Sequence, residues 1–128
     1  MEVLHWGHNY ETFSNCLKKH PDGKTLLIET EHLTGLAALQ NALAVHRAHL
    51  RLVVLAPLTS DELTLLLDLG LFLSGLAVIV VLPPGDGEMH NKVHRLHPRF
   101  VASGQNAWDD AVSVAVNILR KSESRVST

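Results

Sequence analysis

Residues 50–57 read LRLVVLAP. From Leu52 to Ala56 every position is apolar, so no alternation marks one side as the wet one. A strand with that pattern is buried on both faces, as central strands of parallel sheets are. Pro57 has no N–H to offer a ladder and ends the run. A second stretch of the same kind, LAVIVVL at 76–82, implies a sheet whose two faces must both be covered by helices.

The segment 63–82, LTLLLDLGLFLSGLAVIVVL, has the length of a membrane span. Asp68 near its middle would cost roughly 2.5 to 3.5 kcal/mol on the insertion scale. Ser74-Gly75 divides it into a Leu-rich half that favours helix and a β-branched half that favours a buried strand. We read it as helix, turn and strand, with no membrane partner.

Outward from there the chain alternates. EVLHW (2–6), KTLLIET (24–30), LRLVVLA (50–56), LAVIVVL (76–82) and RFVAS (99–103) read as strands. Helices are expected over 10–20, capped by Asn9 and stopped by PDG, and over 32–49. A third starts at TSDEL, where Thr59 and Glu62 have capping-box spacing. A fourth spans 87–97 up to Pro98. The last spans 107–121 behind Asn106, with Asp109 and Asp110 in its first turn and Arg120 and Lys121 in its last, as the helix dipole favours.

A chain of 128 residues fits one domain, here 1–122 with a polar tail at 123–128. Its net charge of −2 offers no field for a phosphate backbone, so nucleic acid is not the expected partner. One cysteine, Cys16, cannot form an internal disulfide, and the N-terminus has no secretory pattern, so a cytoplasmic setting is expected. The PPGDGE turn at 83–88 lacks the Lys and Ser/Thr of a phosphate-binding loop, and no cofactor is expected.

Right-handed crossovers between parallel strands leave few arrangements. The favoured one is an α/β three-layer sandwich of about five parallel strands in the order 2-1-3-4-5. Its ligand crevice lies at the C-terminal strand ends, beside the topological switch point. This flavodoxin-like pattern resembles a response-regulator receiver domain over nearly the whole chain. The resemblance implies acidic residues after the first strand, an Asp after the third, a Ser or Thr after the fourth and a Lys near the end of the fifth. Here those positions hold Gly7 and His8, Ala56 and Pro57, Pro83 and Pro84, and Ser103 and Gly104. Without carboxylates there are too few hard oxygen ligands for Mg²⁺ and no phosphate acceptor.

The last third resembles a group of small stand-alone receiver-like bacterial proteins of unassigned function, through Leu82, Pro83, His94, Leu96, Pro98, Arg99 and Phe100. It departs from them at Pro84, Val93, His97 and Trp108. The stretch 26–57 is similar to anti-sigma factor antagonist (STAS) domains, in which a Ser or Thr before a helix-opening glycine is phosphorylated. That similarity implies a phosphorylation site at Thr34, ahead of Gly35. The plain alternative makes Thr34 a first-turn helix residue.

Nine histidines invite metal or pH-switch readings, because imidazole titrates near neutrality and ligates metals when neutral. His90, His94 and His97 are spaced to share one side of the fourth helix, yet HNKVH lacks the glutamate of a zinc protease motif. No metal site is assigned. Lys92, His94, Arg95, His97 and Arg99 form a basic patch which, with Trp108, is the expected partner surface for an unknown protein or a second copy. Alternation along the first strand sends His5 and Gly7 to one side and Trp6 and His8 to the other. The crevice candidates are His8, near Glu29 or Glu31, with Ala56, Pro57, Pro83 and Ser103. Three functions remain open: non-catalytic protein binding in bacterial signalling, STAS-like antagonism through Thr34, and ligand, metal or enzymatic chemistry at the crevice.

Overall fold

The computed structural model describes residues 3–21, 30–85 and 87–126, with side chains as far as residue 121. Five strands, β1 (Val3–Gly7), β2 (Thr30–Leu33), β3 (Leu52–Ala56), β4 (Val78–Val81) and β5 (Phe100–Ala102), form one sheet in the order β2-β1-β3-β4-β5. All four pairings are parallel, as continuous apolar runs separated by helices require. The helices are α1 (Tyr10–Lys19), α2 (Leu36–His46), α3 (Ser60–Leu67), α4 (Gly70–Leu73), α5 (Gly87–Lys92) and α6 (Ala107–Val126). No helix among the described residues is long and apolar enough to cross a membrane.

Strict alternation divides the core in two. Leu4, Trp6, Val53, Leu55, Val78 and Val80 point to the face covered by α2 to α5, where Leu39, Leu43, Leu63, Leu66 and Met89 meet them. Val3, Leu52, Val54, Ile79 and Val81 point to the other face, against Phe13 of α1 and Ala111, Val112, Ala115, Val116 and Leu119 of α6. Small residues on α6 let that long helix lie close to the sheet.

Several boundaries differ from the sequence reading, each for a local reason. His32 and Leu33 belong to β2, opposite His5 and Trp6, and α2 starts only at Leu36. Leu33 satisfies a helical stripe and a strand alternation equally well, and pairing with β1 decided between them. Thr34 therefore lies exposed in the connection before the Gly35 cap, not in the first helical turn. The rest of the expected second strand, 24–29, lies outside the described residues. The third helix breaks after Leu67, where Asp68 and Leu69 donate to Leu65 and Leu66 three residues back and tighten the turn. The fourth ends at Lys92 and continues as a 3₁₀ turn, Val93–Leu96, with His97 left-handed beyond it (φ 51°). His90, His94 and His97 thus sit on an α-helix, a 3₁₀ turn and a loop rather than along one helix.

Asn9 stands at the α1 cap in a left-handed conformation, which Asn tolerates, but its side chain accepts no capping bond. Thr59 does cap α3: its Oγ1 accepts the Glu62 N–H at 3.2 Å. The Glu62 carboxylate reaches past the cap to the Leu58 N–H at 2.8 Å. Thr59→Ala is expected to lower stability by about 1 kcal/mol, read from urea unfolding. Thr59→Ser, which keeps the acceptor, should restore most of that loss.

Candidate functional site

Parallel strands deliver their C-terminal ends to one edge, and the connections after β1 and β3 diverge to opposite faces there. Between them lies a notch of about 140 Å³. Ala56, Pro57 and Leu58 follow β3, while Val81, Leu82, Pro83 and Pro84 follow β4. Asn9, Gly104, Ala107 and Trp108 complete the lining, to which no ionisable side chain among the described residues contributes. Of the crevice candidates, Ala56, Pro57 and Pro83 line this notch. Ser103 is exposed beside the notch without joining its lining.

Three bonds fix the turn after β1. The His8 N–H donates to the Ala56 carbonyl at 3.1 Å. His5 Nε2 donates to the His8 carbonyl and His32 Nε2 to the Gly7 carbonyl, each at 2.9 Å. A carbonyl only accepts, so each imidazole carries its proton on Nε2. His5 Nδ1 is left as a buried lone pair without a partner among the described residues. Around His5 stand Trp108, stacked with ring centroids 5.6 Å apart, then Tyr10, Phe13 and His32 at 5.3 to 5.5 Å. Tyr10 and His32 stack in turn at 4.6 Å. Burial pushes the His5 pKa from 6.5 down to about 4; the His8 carbonyl opposes the shift, and the neighbouring imidazoles reinforce it.

His8 turns to the other face, as alternation requires, and its Nε2 meets Glu62 Oε2 at 3.2 Å. The carboxylate beside His8 is thus Glu62 of α3, not Glu31, which lies exposed on β2; Glu29 lies outside the described residues. Burial alone would raise the Glu62 carboxyl, but the Leu58 amide and then His8 outweigh it and hold it below its usual range. The sequence signal for this pair was the capping-box glutamate, whose second oxygen is free to face β1. Burial, with Asp109 second, raises the half-buried Cys16 thiol, which makes it a poor nucleophile.

The expected basic surface is divided. Lys92 folds across to α3, donating to Ser60 Oγ at 2.8 Å and Thr64 Oγ1 at 3.2 Å while pairing with Glu88 at 2.9 Å. His94, Arg95, His97 and Arg99 are exposed on the segment leading into β5. Trp108 is half-buried against His5 and the notch, at the other end of the sheet. Among the described residues no three His, Cys, Asp or Glu side chains converge as a metal site.

No family model and no curated protein matches the chain. Solved structures do. A signal receiver domain of a putative LuxO repressor from Vibrio parahaemolyticus superposes with TM-score 0.64 at 13% identity, over 97% of this chain and 93% of that one. The fold is a receiver fold. The Mn²⁺-bound response regulator Rcp1 gives 0.56 at 18% identity, over 92% of this chain and 91% of that one. A putative pilus assembly-related protein from Burkholderia pseudomallei also gives 0.56, at 14% identity, over 92% and 90%. At such identities the likeness extends to the sheet order and the helices around it.

Proposed function

We propose that this chain is a receiver-like domain that acts by binding protein, without phosphoryl transfer. The observation that carries the reading is the notch beside the switch point, where Ala56 and Pro57 end β3 and, among the described residues, no carboxylate enters the lining. Phosphoryl transfer on this fold needs an acceptor and hard oxygen ligands for a divalent cation. Neither is available from these side chains. The receiver-fold neighbours support a place in signalling, and the pilus assembly-related neighbour supports the assembly of protein complexes as the setting.

Small-molecule chemistry is the weaker reading. At about 140 Å³ the notch is well below the roughly 300 to 1,000 Å³ of ordinary ligand pockets. Incubation with acetyl phosphate and Mg²⁺ is expected to leave the intact mass unchanged. A phospho-adduct on any residue overturns the proposal, and one mapped to the exposed Thr34 after treatment with a partner kinase would favour STAS-like antagonism instead.

A further inference from the structure

A second hollow, of about 470 Å³, lies at the opposite end of the sheet from the notch. Its walls are the segments that lead into strands: the end of α3 with α4 before β4, and the 3₁₀ turn with His97 before β5. Leu67, Leu73, Leu76 and Leu96 supply its apolar surface. Leu71, on the same hollow, is 90% exposed. A lone exposed leucine is ordinary. Here, however, an apolar knob stands beside a hollow whose walls mix leucines with Asp68, Ser74, Arg95 and His97.

We propose that this patch is a self-complementary surface through which two copies of the chain pair, Leu71 of each entering the hollow of the other. The inference rests on the protein-binding reading above and names that partner as a second copy. A two-fold interface uses one patch twice, so knob and hole must lie side by side on the same molecule. They do.

The charges fit the same operation. Asp68 comes from the α3–α4 side of the hollow, and Arg95 and His97 from the 3₁₀ side. All three are exposed, and none has an ion pair among the described residues. A partner of one sign would meet repulsion on half of such a surface, whereas a second copy presents each sign with its opposite. The knob is also held in advance. Arg47, at the end of α2, donates to the carbonyls of Phe72 and Ser74, which fixes the turn that carries Leu71 and lowers the ordering cost of association.

Sedimentation velocity of the full chain, from micromolar to submillimolar concentration, tests this. A reversible monomer–dimer equilibrium is expected. Leu71→Asp should raise the dissociation constant about 100-fold, as loss of a central apolar anchor does. Asp68→Arg and Arg95→Asp should each raise it about tenfold, and the double reversal should recover most of the wild-type affinity. All three sites are exposed, so the thermal midpoints of diluted monomers should match wild type, which separates an interface effect from misfolding. A wild-type chain that stays monomeric throughout overturns the pairing, as does a dimer indifferent to Leu71→Asp or a double reversal no tighter than its singles. A monomer would leave the acetyl phosphate result standing; a phospho-adduct from a dimeric chain would sink only the function proposed above.

Discussion

Gly7→Ala is expected to destabilise the domain by about 3 kcal/mol or more, combining the cost of a non-glycine residue at a strained φ with a backbone clash. Gly7 has φ 103°, a region L side chains rarely adopt, and a Cβ there would stand 2.5 Å from the Ala56 carbonyl oxygen and 3.0 Å from its carbon. The obstacle is the backbone of the central strand, which cannot swing aside as a flexible side chain can. Gly7 pairs with Ala56 in the β1–β3 ladder, and His8 N–H bonds that same carbonyl, so relieving the clash pulls apart the switch point itself. Trimming Ala56 to glycine leaves the carbonyl in place and should not rescue the variant. Urea unfolding followed by circular dichroism measures the loss; a change under about 1 kcal/mol would show that the turn relaxes freely.

Acid is expected to weaken the fold through His5. The side chain is fully buried, and its folded pKa of about 4 lies below the ordinary 6.5. Above pH 6.5 the ring is neutral in both states and the fold is fully stable with respect to this group. As pH falls from 6.5 towards 4 the unfolded chain takes up the proton first, so stability declines, by up to about 3 kcal/mol, and levels off once both states are protonated. Among neighbouring titratable groups, His8 faces His5 through its carbonyl, while Tyr10 and His32 face it through their rings. Glu62, with its lowered pKa, also loses stability on acidification, but that loss sets in only as the unfolded carboxylate takes up its proton, in the usual carboxylate range at the acid end of this window. His5→Phe keeps the aromatic packing on Trp108 and removes the titration. Its unfolding free energy should therefore vary much less than wild type between pH 7 and 4.5, and parallel curves for the two proteins would refute the assignment.

Much of this architecture was legible in the residues because burial on both faces leaves a signature in composition. LVVLA at 52–56 and VIVV at 78–81 have the length and β-branched content of covered strands, and Leu-rich segments between them supply the covers. Handedness narrowed the strand order to a few arrangements, of which 2-1-3-4-5 was the favoured one. The site was legible only in part. Ala56, Pro57 and Pro83 could be placed because the ends of strands define the crevice. Glu62 as the partner of His8 could not be, since 54 positions separate them and only the packing of α3 against the sheet brings them together. His5, Tyr10, His32 and Trp108 gather from β1, α1, β2 and α6. No local spacing announces such a cluster.

What the amino-acid sequence determined alone was the alternation of helix and strand, the parallel sense of the sheet and the missing acid at the end of β3. These depend on hydrophobic period and on residue identity at strand ends, which are local properties. The tertiary structure decided which imidazole is buried, which carboxylate meets His8, and that Leu71 stands exposed beside a hollow between Asp68 and Arg95. Those outcomes depend on which elements pack together across the fold, and contacts between distant segments leave no periodic trace in the chain.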